Sequence, residues 1–297
     1  MNNLKSFTEL ANLQDIQEFL RSKPLTRRHF CHYSTVDGLV GMIRSSKLHL
    51  SKGTKMNDLL ECDTFDTEKW ERTYIASFTH TYLESIAMWC VYSRQLSESL
   101  RLQFFPSKIW KLIDNANKTE IYQVKANSQY SLLGYPEDIF LCDVSYLREH
   151  SLSLDGDAIH ERNCSEINTI LSEKSMVGLV KHSSWEYEKE TRLCIVLPRN
   201  KKCKYPDKIA INFDGITNVT IMGSPCFNHD KLEKTISELK KEFKDDETKS
   251  KTINSIRYSR NNIKHCCSAL TNRLYLPAFC ENCVIKRDCK LYKNINE

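Results

Sequence analysis

The segment WEYEKETRLCIVL, residues 185–197, constrains the fold of this chain more than any other feature of the sequence. Its second half, Leu193–Leu197, is a continuous apolar run with β-branched members, which is typical of a buried strand. Its first half alternates aromatic and charged residues, and alternate residues of a strand face the same side of a sheet. We therefore predict one strand over 185–197 that begins with polar groups, including Arg192, on one face and continues into a core.

The three glutamates of this strand, Glu186, Glu188 and Glu190, are the first candidate functional residues. Crowded carboxylates raise one another's pKa unless cations pair with them. Acids with shifted pKa values suit acid–base chemistry or the stabilisation of a cation. The alternative interpretation is a structural ladder of surface ion pairs that uses Lys189 and Arg192. The pattern leaves both interpretations open.

The rest of the chain predicts a mixture of helices and strands, and hence a mixed α/β domain. Helices are expected at 7–22, 35–45, 84–94, 107–116, 157–174 and 229–243. Strands are expected at 29–33, 47–51, 73–79, 99–105, 119–127, 139–146, 208–213 and 216–222. Ser34 and Asp37 have the spacing of a capping box for the second helix.

Other polar residues lie at the ends or faces of these elements. His32, in a strand that leads into a capped helix, could donate to a sugar or phosphate, or it could be a satisfied core histidine. Ser77 and Thr79 are two residues apart and so face one side of a strand, a weak signal by itself. Met88, Trp89 and Tyr92 share one helical face, for which core packing is the default expectation.

The thirteen cysteines are an odd number, and the N-terminus has no apolar signal core. A disulfide framework is therefore not expected. Cys31, Cys90, Cys142 and Cys194 have apolar or strand-like neighbours and are expected to be small buried hydrophobic residues.

Four cysteines near the C-terminus have the spacing of metal ligands. Cys266, Cys280, Cys283 and Cys289 form C-x13-C-x2-C-x5-C, with Cys267 and His265 nearby as spare ligands. This spacing fits zinc and also a [4Fe–4S] cluster. The alternative is a set of reduced free thiols.

The net charge of +5 comes from the C-terminal part of the chain, because residues 230–297 contain 15 Lys and Arg against 10 Asp and Glu. This imbalance favours a nucleic-acid partner, although a solvated helical surface explains it equally well. The charged stretch 241–251 predicts a linker or a frayed helix end. We expect an N-terminal helix within 1–28, a mixed α/β domain at 29–245 and a basic, Cys-containing module at 252–297.

No apolar run approaches the roughly 18 residues of a membrane-spanning helix. Together with the absence of a signal core, this predicts a cytoplasmic protein without a membrane partner. The sequence does not indicate an oligomeric state.

Four segments in this order resemble a large bacterial family, the domain of unknown function 2971. They are HYSTVDGLVGMIRSSKLHLSKGTKMNDLLE, SFTHTYLESIAMWCVYS, VKHSSWEYEKETRLCIVL and ITNVTIMGSPC, and the likeness covers roughly residues 29–226. That family is distantly similar to the ADP-ribosyltransferase superfamily. The resemblance implies an α+β fold with mixed, mainly antiparallel sheets flanked by helices.

The same resemblance implies roles for individual residues in a reaction that consumes NAD. Glu190 would bind the nicotinamide ribose 2′-hydroxyl and stabilise an oxocarbenium-like transition state, and Glu188 would activate the acceptor. His32 would hold a ribose hydroxyl, while Ser77 and Thr79 would support the site. A tyrosine would stack on nicotinamide, the candidates being Tyr33, Tyr82 and Tyr92. The implied biological role is that of a toxin or phage-defence effector that modifies nucleic acid or protein.

Two other functions fit the sequence. The first is a non-enzymatic sensor or nucleic-acid-binding protein whose glutamates are structural and whose metal-held tail contacts phosphates. The second is a nuclease in which Asp58, Glu61 and Asp63 join Glu188 and Glu190 around a metal ion. Acids in such a loop are more often turn and capping residues.

Overall fold

The computed structural model describes residues 6–56, 67–92, 95–162, 176–200, 204–225 and 227–259. The fold is α+β, with helices and mixed, mostly antiparallel sheets. The described residues divide into two compact units, each assembled from separate stretches of the chain. Unit 1 draws on residues 1–30, 47–80 and 106–213, and unit 2 draws on residues 31–46, 81–105 and from 214 onward.

The α-helices are α1 Leu13–Ser22, α2 Val36–Ser45, α3 Thr67–Glu71, α4 Ile86–Tyr92, α5 Pro106–Asp114, α6 His229–Glu242 and α7 Glu247–Asn254. Several of these helices have a polar N-cap residue. The Asn12 side chain accepts a hydrogen bond from the amide of Asp15, and the Thr35 side chain accepts one from the amide of Gly38. Thr35, rather than Ser34, therefore caps α2, because the preceding strand extends through Thr35. None of the helices in the described residues combines the length and apolar character needed to cross a bilayer.

The strands are β1 Phe30–Thr35, β2 Lys47–Lys52, β3 Thr73–Thr79, β4 Ser99–Phe104, β5 Ile121–Val124, β6 Tyr130–Gly134, β7 Asp138–Asp143, β8 Ser145–Arg148, β9 Ser151–Leu154, β10 Asp157–His160, β11 Val180–His182, β12 Glu190–Val196, β13 Lys208–Asn212, β14 Thr220–Gly223 and β15 Arg257–Tyr258.

Unit 1 contains two sheets. In the first, β3, β2, β13, β5 and β6 are successive antiparallel neighbours, and β12 lies between β3 and β7. The second has the order β10-β9-β8-β11, in which only the β8–β11 pair is parallel. All seven residues of β12 are buried, so both faces of the sheet are covered at this strand.

The main hydrophobic cluster of unit 1 joins the N-terminal segment to the centre of the sheet. Ile16 and Leu20 of α1 are fully buried and contribute to the same cluster as Phe140 of β7 and Val196 of β12. The apolar positions of α1 recur at helical spacing, so one face of the helix is buried. The N-terminal helix is therefore part of the core of unit 1.

The described part of unit 2 contains four strands and four of the α-helices. Its strand order is β15-β14-β4-β1, with β14 antiparallel to β4 and parallel to β15. Helix α7 packs against α2 and α6. Arg44 of α2 forms a bidentate ion pair with Glu242 of α6.

The helix expected over 7–22 begins only at Leu13, after a 3-10 turn at Phe7–Glu9. Three further sequence-based expectations differ from the structure. The expected helix over 157–174 begins instead with β10, because Asp155 and Gly156 adopt positive φ angles of 55° and 97° and form a hairpin turn with β9. The charged stretch expected to be a linker contains α7, which buries Ile253 and begins at the capping residue Asp246. The third difference is the first half of the strand expected over 185–197, which lies in the candidate site.

Candidate functional site

Four charged side chains meet in the interior of unit 1: Lys181, Glu188, Glu190 and Arg192, which we call the buried charge cluster. None has more than 4% of its side chain exposed. Arg192 donates to both carboxylate oxygens of Glu190, with an Nε–Oε1 distance of 2.9 Å and an Nη2–Oε2 distance of 3.0 Å. The Lys181 Nζ atom lies 2.6 Å from Glu188 Oε2 and 3.5 Å from Glu190 Oε2. Two buried acids are thus matched by two bases.

The strand expected over 185–197 is wrong in its first half, and this difference creates the cluster. Residues Ser183–Glu188 form a 3-10 turn, and Lys189 then adopts a left-handed conformation with φ 46° before β12 begins at Glu190. Glu188 and Glu190 therefore approach Lys181 of β11 from two different elements. The alternation is genuine only for Glu190 and Arg192, which share one face of β12.

The pKa of Glu190 reflects a competition between burial and paired charge. Burial by itself would raise the pKa, but the charges of Arg192 and Lys181, with hydrogen bonds from Arg192 and Ser77, hold it at about 2. The carboxylate is therefore ionised at neutral and mildly acidic pH. A permanently charged carboxylate suits the stabilisation of a developing cation better than proton transfer near neutral pH.

Strand β3 supplies the hydroxyl groups beside Glu190. Ser77 lies opposite Arg192 in the register and donates its hydroxyl to the Glu190 carboxylate. Thr79 lies opposite Glu190 and is buried. The structure thus brings Ser77, Thr79, Glu188 and Glu190 into one region of unit 1.

Lys181 and Tyr146 also belong to this region, although neither was among the residues predicted from the sequence. The Tyr146 phenol oxygen accepts from the Glu190 amide at 2.9 Å, and the phenol pKa is raised well above its ordinary value, first by burial and then by the Glu190 charge. Lys181 follows the apolar run Met176–Val180 directly. A charge at the end of a buried run requires a partner, and that signal could have identified it.

The 3-10 turn places aromatic groups next to the cluster. The Trp185 ring centroid lies 4.5 Å from Lys181 Nζ, a cation–π distance, and 6.2 Å from the Tyr187 ring centroid. Glu186 of the same turn pairs instead with Arg148 at 2.9 Å and Lys189 at 3.4 Å. The surface ion-pair interpretation therefore describes Glu186, while Glu188 and Glu190 are buried.

A second network lies on the opposite face of β12. The Thr191 hydroxyl donates to Asp143 at 2.5 Å, and Arg27 bridges Asp143 and Asp155, each at 2.6 Å. His80 contacts Asp155 through Nε2 at 3.0 Å. Burial opposes ionisation of Asp155, but His80 and Arg27 outweigh it and lower the pKa of this carboxyl well below its ordinary value. Asp155 also lines a cavity of about 250 Å³.

The remaining predicted residues, His32, Tyr33 and Tyr92, belong to unit 2. All three are partly exposed. Tyr33 packs edge-on against Trp89 with a centroid distance of 4.7 Å, and Trp89 is fully buried. The expected core packing of the α4 face is therefore confirmed for Trp89.

Three of the four cysteines expected in the core are buried: Cys31, Cys142 and Cys194. The expectation is wrong for Cys90, which is exposed because α4 buries the face that carries Met88 and Trp89. The predicted metal ligands Cys266, Cys280, Cys283 and Cys289 lie outside the described residues, as do Asp58, Glu61 and Asp63. Within the described ranges, no three His, Cys, Asp or Glu side chains are grouped so that they could hold a metal ion.

Comparison with known proteins connects this region to a family. A search of curated proteins gave no match. Residues 88–193 match the family described as "Protein of unknown function (DUF2971)", and this range contains all four members of the buried charge cluster. Over this part of the chain, the resemblance to the domain of unknown function 2971 is confirmed.

Proposed function

We propose that the protein is an NAD-dependent enzyme of the ADP-ribosyltransferase type in which Glu190 stabilises the positive charge that develops as nicotinamide leaves. The observation that carries this proposal is the ionised Glu190 carboxylate, fixed by Arg192 on its own strand and by Ser77 on the neighbouring strand. A carboxylate held in place before the reaction needs no reorganisation when charge develops.

The chemistry follows from the bond that breaks. Nicotinamide leaves with the electron pair of its bond to the ribose C1′ atom, so positive charge builds on the ribose. A nucleophilic acceptor then forms the new bond at C1′ and loses its proton. In NAD the positive charge lies on the pyridinium ring, and it moves to the ribose as the bond breaks. The fixed negative charge of Glu190 beside the ribose would therefore lower the energy of the transition state more than that of the bound substrate. Glu188, which ends the 3-10 turn, is proposed to activate the acceptor.

Access to Glu190 is part of this proposal. Only 4% of the Glu190 side chain is exposed, and Trp185 lies over its neighbour Lys181. We propose that NAD reaches Glu190 when the turn Ser183–Glu188 moves. Such a turn would act as a lid that closes over bound substrate and excludes water.

The remaining roles are also proposals. Ser77 and Thr79 would support Glu190. His32 as the group that holds a ribose hydroxyl, and Tyr33, Tyr82 or Tyr92 as the group that stacks on nicotinamide, stay predictions of the resemblance. The acceptor would be nucleic acid or protein, in a toxin or phage-defence role. The zinc or [4Fe–4S] site at the C-terminal cysteines stays a prediction.

The test is nicotinamide release from NAD by the full chain, measured by chromatography. We expect release by the wild type and a loss of at least roughly 100-fold in Glu190→Gln, in the range seen when one transition-state-stabilising group is removed. Ser77→Ala should lower the rate less, because it removes one hydrogen bond and leaves the charges balanced. Glu186→Gln, on the surface side of the same turn, should retain the wild-type rate.

Because Glu190→Gln disturbs a buried network, each variant's fold is checked by circular dichroism and thermal unfolding. Ser77→Ala keeps the test decisive if Glu190→Gln does not fold. The proposal fails if the wild type neither binds nor cleaves NAD, or if folded Glu190→Gln consumes NAD as fast as the wild type. If Glu190→Gln does not fold, a wild-type rate in Ser77→Ala has the same consequence.

A second candidate function is a non-enzymatic sensor or nucleic-acid-binding protein. It is favoured by the electrical balance and burial of the same cluster, since a paired, hydrogen-bonded set of charges can serve structure alone. In that case NAD would be unaffected by the wild type and by every variant.

A further inference from the structure

One face of the unit 1 sheet carries aromatic and basic side chains. In β2, Leu48 and Leu50 are buried while His49 between them is exposed, so one side of the sheet packs on the core and the other faces solvent. Strand β13 pairs with β2 so that Ile209 and Ile211 lie on the buried side. This alternation is typical of an antiparallel sheet with one solvated face.

The strand register identifies the side chains on the solvated face. His49 lies opposite Ala210, which in turn lies opposite Tyr122, and Tyr130 lies opposite Val124. Lys47 and Lys208 share this face because each is two residues from a member of it. We call Lys47, His49, Tyr122, Tyr130 and Lys208 the aromatic–basic face.

The members of this face contact one another. Lys47 Nζ lies 3.7 Å from the Tyr122 ring centroid and 5.4 Å from the Tyr130 centroid. The Tyr130 hydroxyl and His49 Nε2 are 2.9 Å apart, and their rings meet at 61°. Rings and an ammonium group thus alternate across three strands.

Local electrostatics show that the face is positive near β2. The pKa of His49 is lowered, first by burial and then by the charges of Lys208 and Lys47. The Glu120 carboxylate accepts a hydrogen bond from the Tyr122 hydroxyl. That bond, followed by burial, raises the pKa of Tyr122, and the exposed Tyr135 lies close enough to contribute.

We propose that the aromatic–basic face binds single-stranded nucleic acid, with unpaired bases stacking on Tyr122 and Tyr130 and phosphates contacting Lys47 and Lys208. An open sheet that presents aromatic rings and cations suits this ligand, because every base has a face that can stack and every linkage carries a charge. A duplex keeps its bases stacked inside and cannot use the rings. This site does not depend on NAD turnover and lies apart from the cysteine-containing tail in the sequence.

The test is fluorescence anisotropy of a labelled oligouridylate of roughly ten nucleotides, a length within the site size of single-strand-binding modules. Oligothymidylate and a duplex of equal length serve as the other probes, and NAD is omitted. We expect both single strands to bind more tightly than the duplex. A difference between the two single strands would show whether the 2′-hydroxyl is contacted.

The aromatic contribution is tested at Tyr130. Tyr130→Ala should weaken binding by roughly 5- to 150-fold, the range for loss of one stacked base. Tyr130→Phe keeps the ring and should stay within about 2-fold of the wild type, since the hydroxyl contributes little to sequence-tolerant stacking. Tyr258→Ala, at an exposed tyrosine of unit 2, is the matched control and should leave affinity unchanged.

The basic contribution is tested by a salt series. Lys47→Gln and Lys208→Gln should each reduce the slope of log affinity against log salt by about 0.7, the value per phosphate for single strands. Lys240→Gln changes the net charge equally at an exposed position of α6 and should leave the slope unchanged. Equal binding of duplex and single strand, wild-type affinity in Tyr130→Ala, or no binding by the wild type would overturn the proposal.

Discussion

Arg192 and Glu190 are two residues apart in the sequence and fully buried, and their pairing decides the ionisation of the candidate site. Removing either partner would leave a charge in the protein interior, which typically costs about 3–5 kcal/mol. The pair therefore contributes to the stability of the fold whatever its chemistry. Lys181 balances Glu188 in the same way.

The stability of the folded protein should depend on pH through Glu190. The folded pKa of Glu190 is about 2, below its ordinary 4.5, so the unfolded state takes up a proton first as pH falls. The stability contributed by Glu190 is complete above its ordinary pKa and is lost as pH falls from about 5 toward 2. Asp155, whose pKa is also lowered, acts in the same direction. Urea unfolding followed by circular dichroism at a series of pH values should show this decline.

Variants separate Glu190 from the other carboxyl groups. Glu190→Gln should be less stable at neutral pH, because Arg192 and Lys181 lose a charged partner, and its stability should fall less steeply on acidification. Glu186→Gln, with its more exposed carboxylate, should retain the wild-type pH dependence. A pH profile of Glu190→Gln parallel to that of the wild type would contradict this account.

At the scale of elements, short turns position the site. Gly178 precedes β11 with φ 83°, and its carbonyl accepts from Arg192 at 3.2 Å. Lys189, also at positive φ, separates the 3-10 turn from β12. The two turns bring Lys181 and Glu188 to the strand that carries Glu190.

Two glycine-to-alanine variants test how the backbone conformation of a turn and of a helix affects stability. Gly178→Ala should destabilise the protein by about 1–2 kcal/mol, because L-residues are strained at this φ and the new Cβ would lie 3.2 Å from Cys194 Sγ. Gly41→Ala, within α2, should stabilise it by roughly 0.5–1 kcal/mol, since alanine favours helix and its Cβ would meet no described atom within 4 Å. Differential scanning calorimetry should show opposite shifts in Tm. An unchanged or raised Tm in Gly178→Ala would be inconsistent with the backbone conformation at Gly178.

For the molecule as a whole, the N-terminal helix is an integral part of unit 1. Leu20 of α1 is fully buried in the cluster that contains Val196 of β12, the strand on which the candidate site lies. Stability at the site and packing of the N-terminus are therefore linked through one core.

The corresponding prediction compares two nearby leucines. Leu20→Ala should lower the free energy of unfolding by roughly 2–5 kcal/mol, the range for a buried leucine truncated to alanine. Leu25→Ala, at a side chain that is 57% exposed, should change it by no more than about 0.5 kcal/mol. Chemical denaturation measures both. Equal effects of the two variants would argue against a core that includes α1.

The positions of most elements could be predicted from local sequence. Alternation and apolar runs place β3 at its observed bounds and α2, α6 and β13 within one or two residues. These signals are local, because the spacing of the apolar residues within a strand or helix indicates which of its faces is buried. Prediction was wrong where one left-handed residue breaks a pattern, as at Lys189 and Asp155.

The sequence by itself determined that this chain forms an α+β fold, with Glu190 and Arg192 on one face of a strand that enters the core. Only the tertiary structure decided which charges meet there. Lys181 and Ser77 reach Glu190 from elements distant in sequence, and their charge and hydrogen bond set its pKa. The alternation of a strand can be predicted from neighbouring residues in the sequence. The ionisation of a buried group, by contrast, depends on every charge that folding brings within a few ångströms of it.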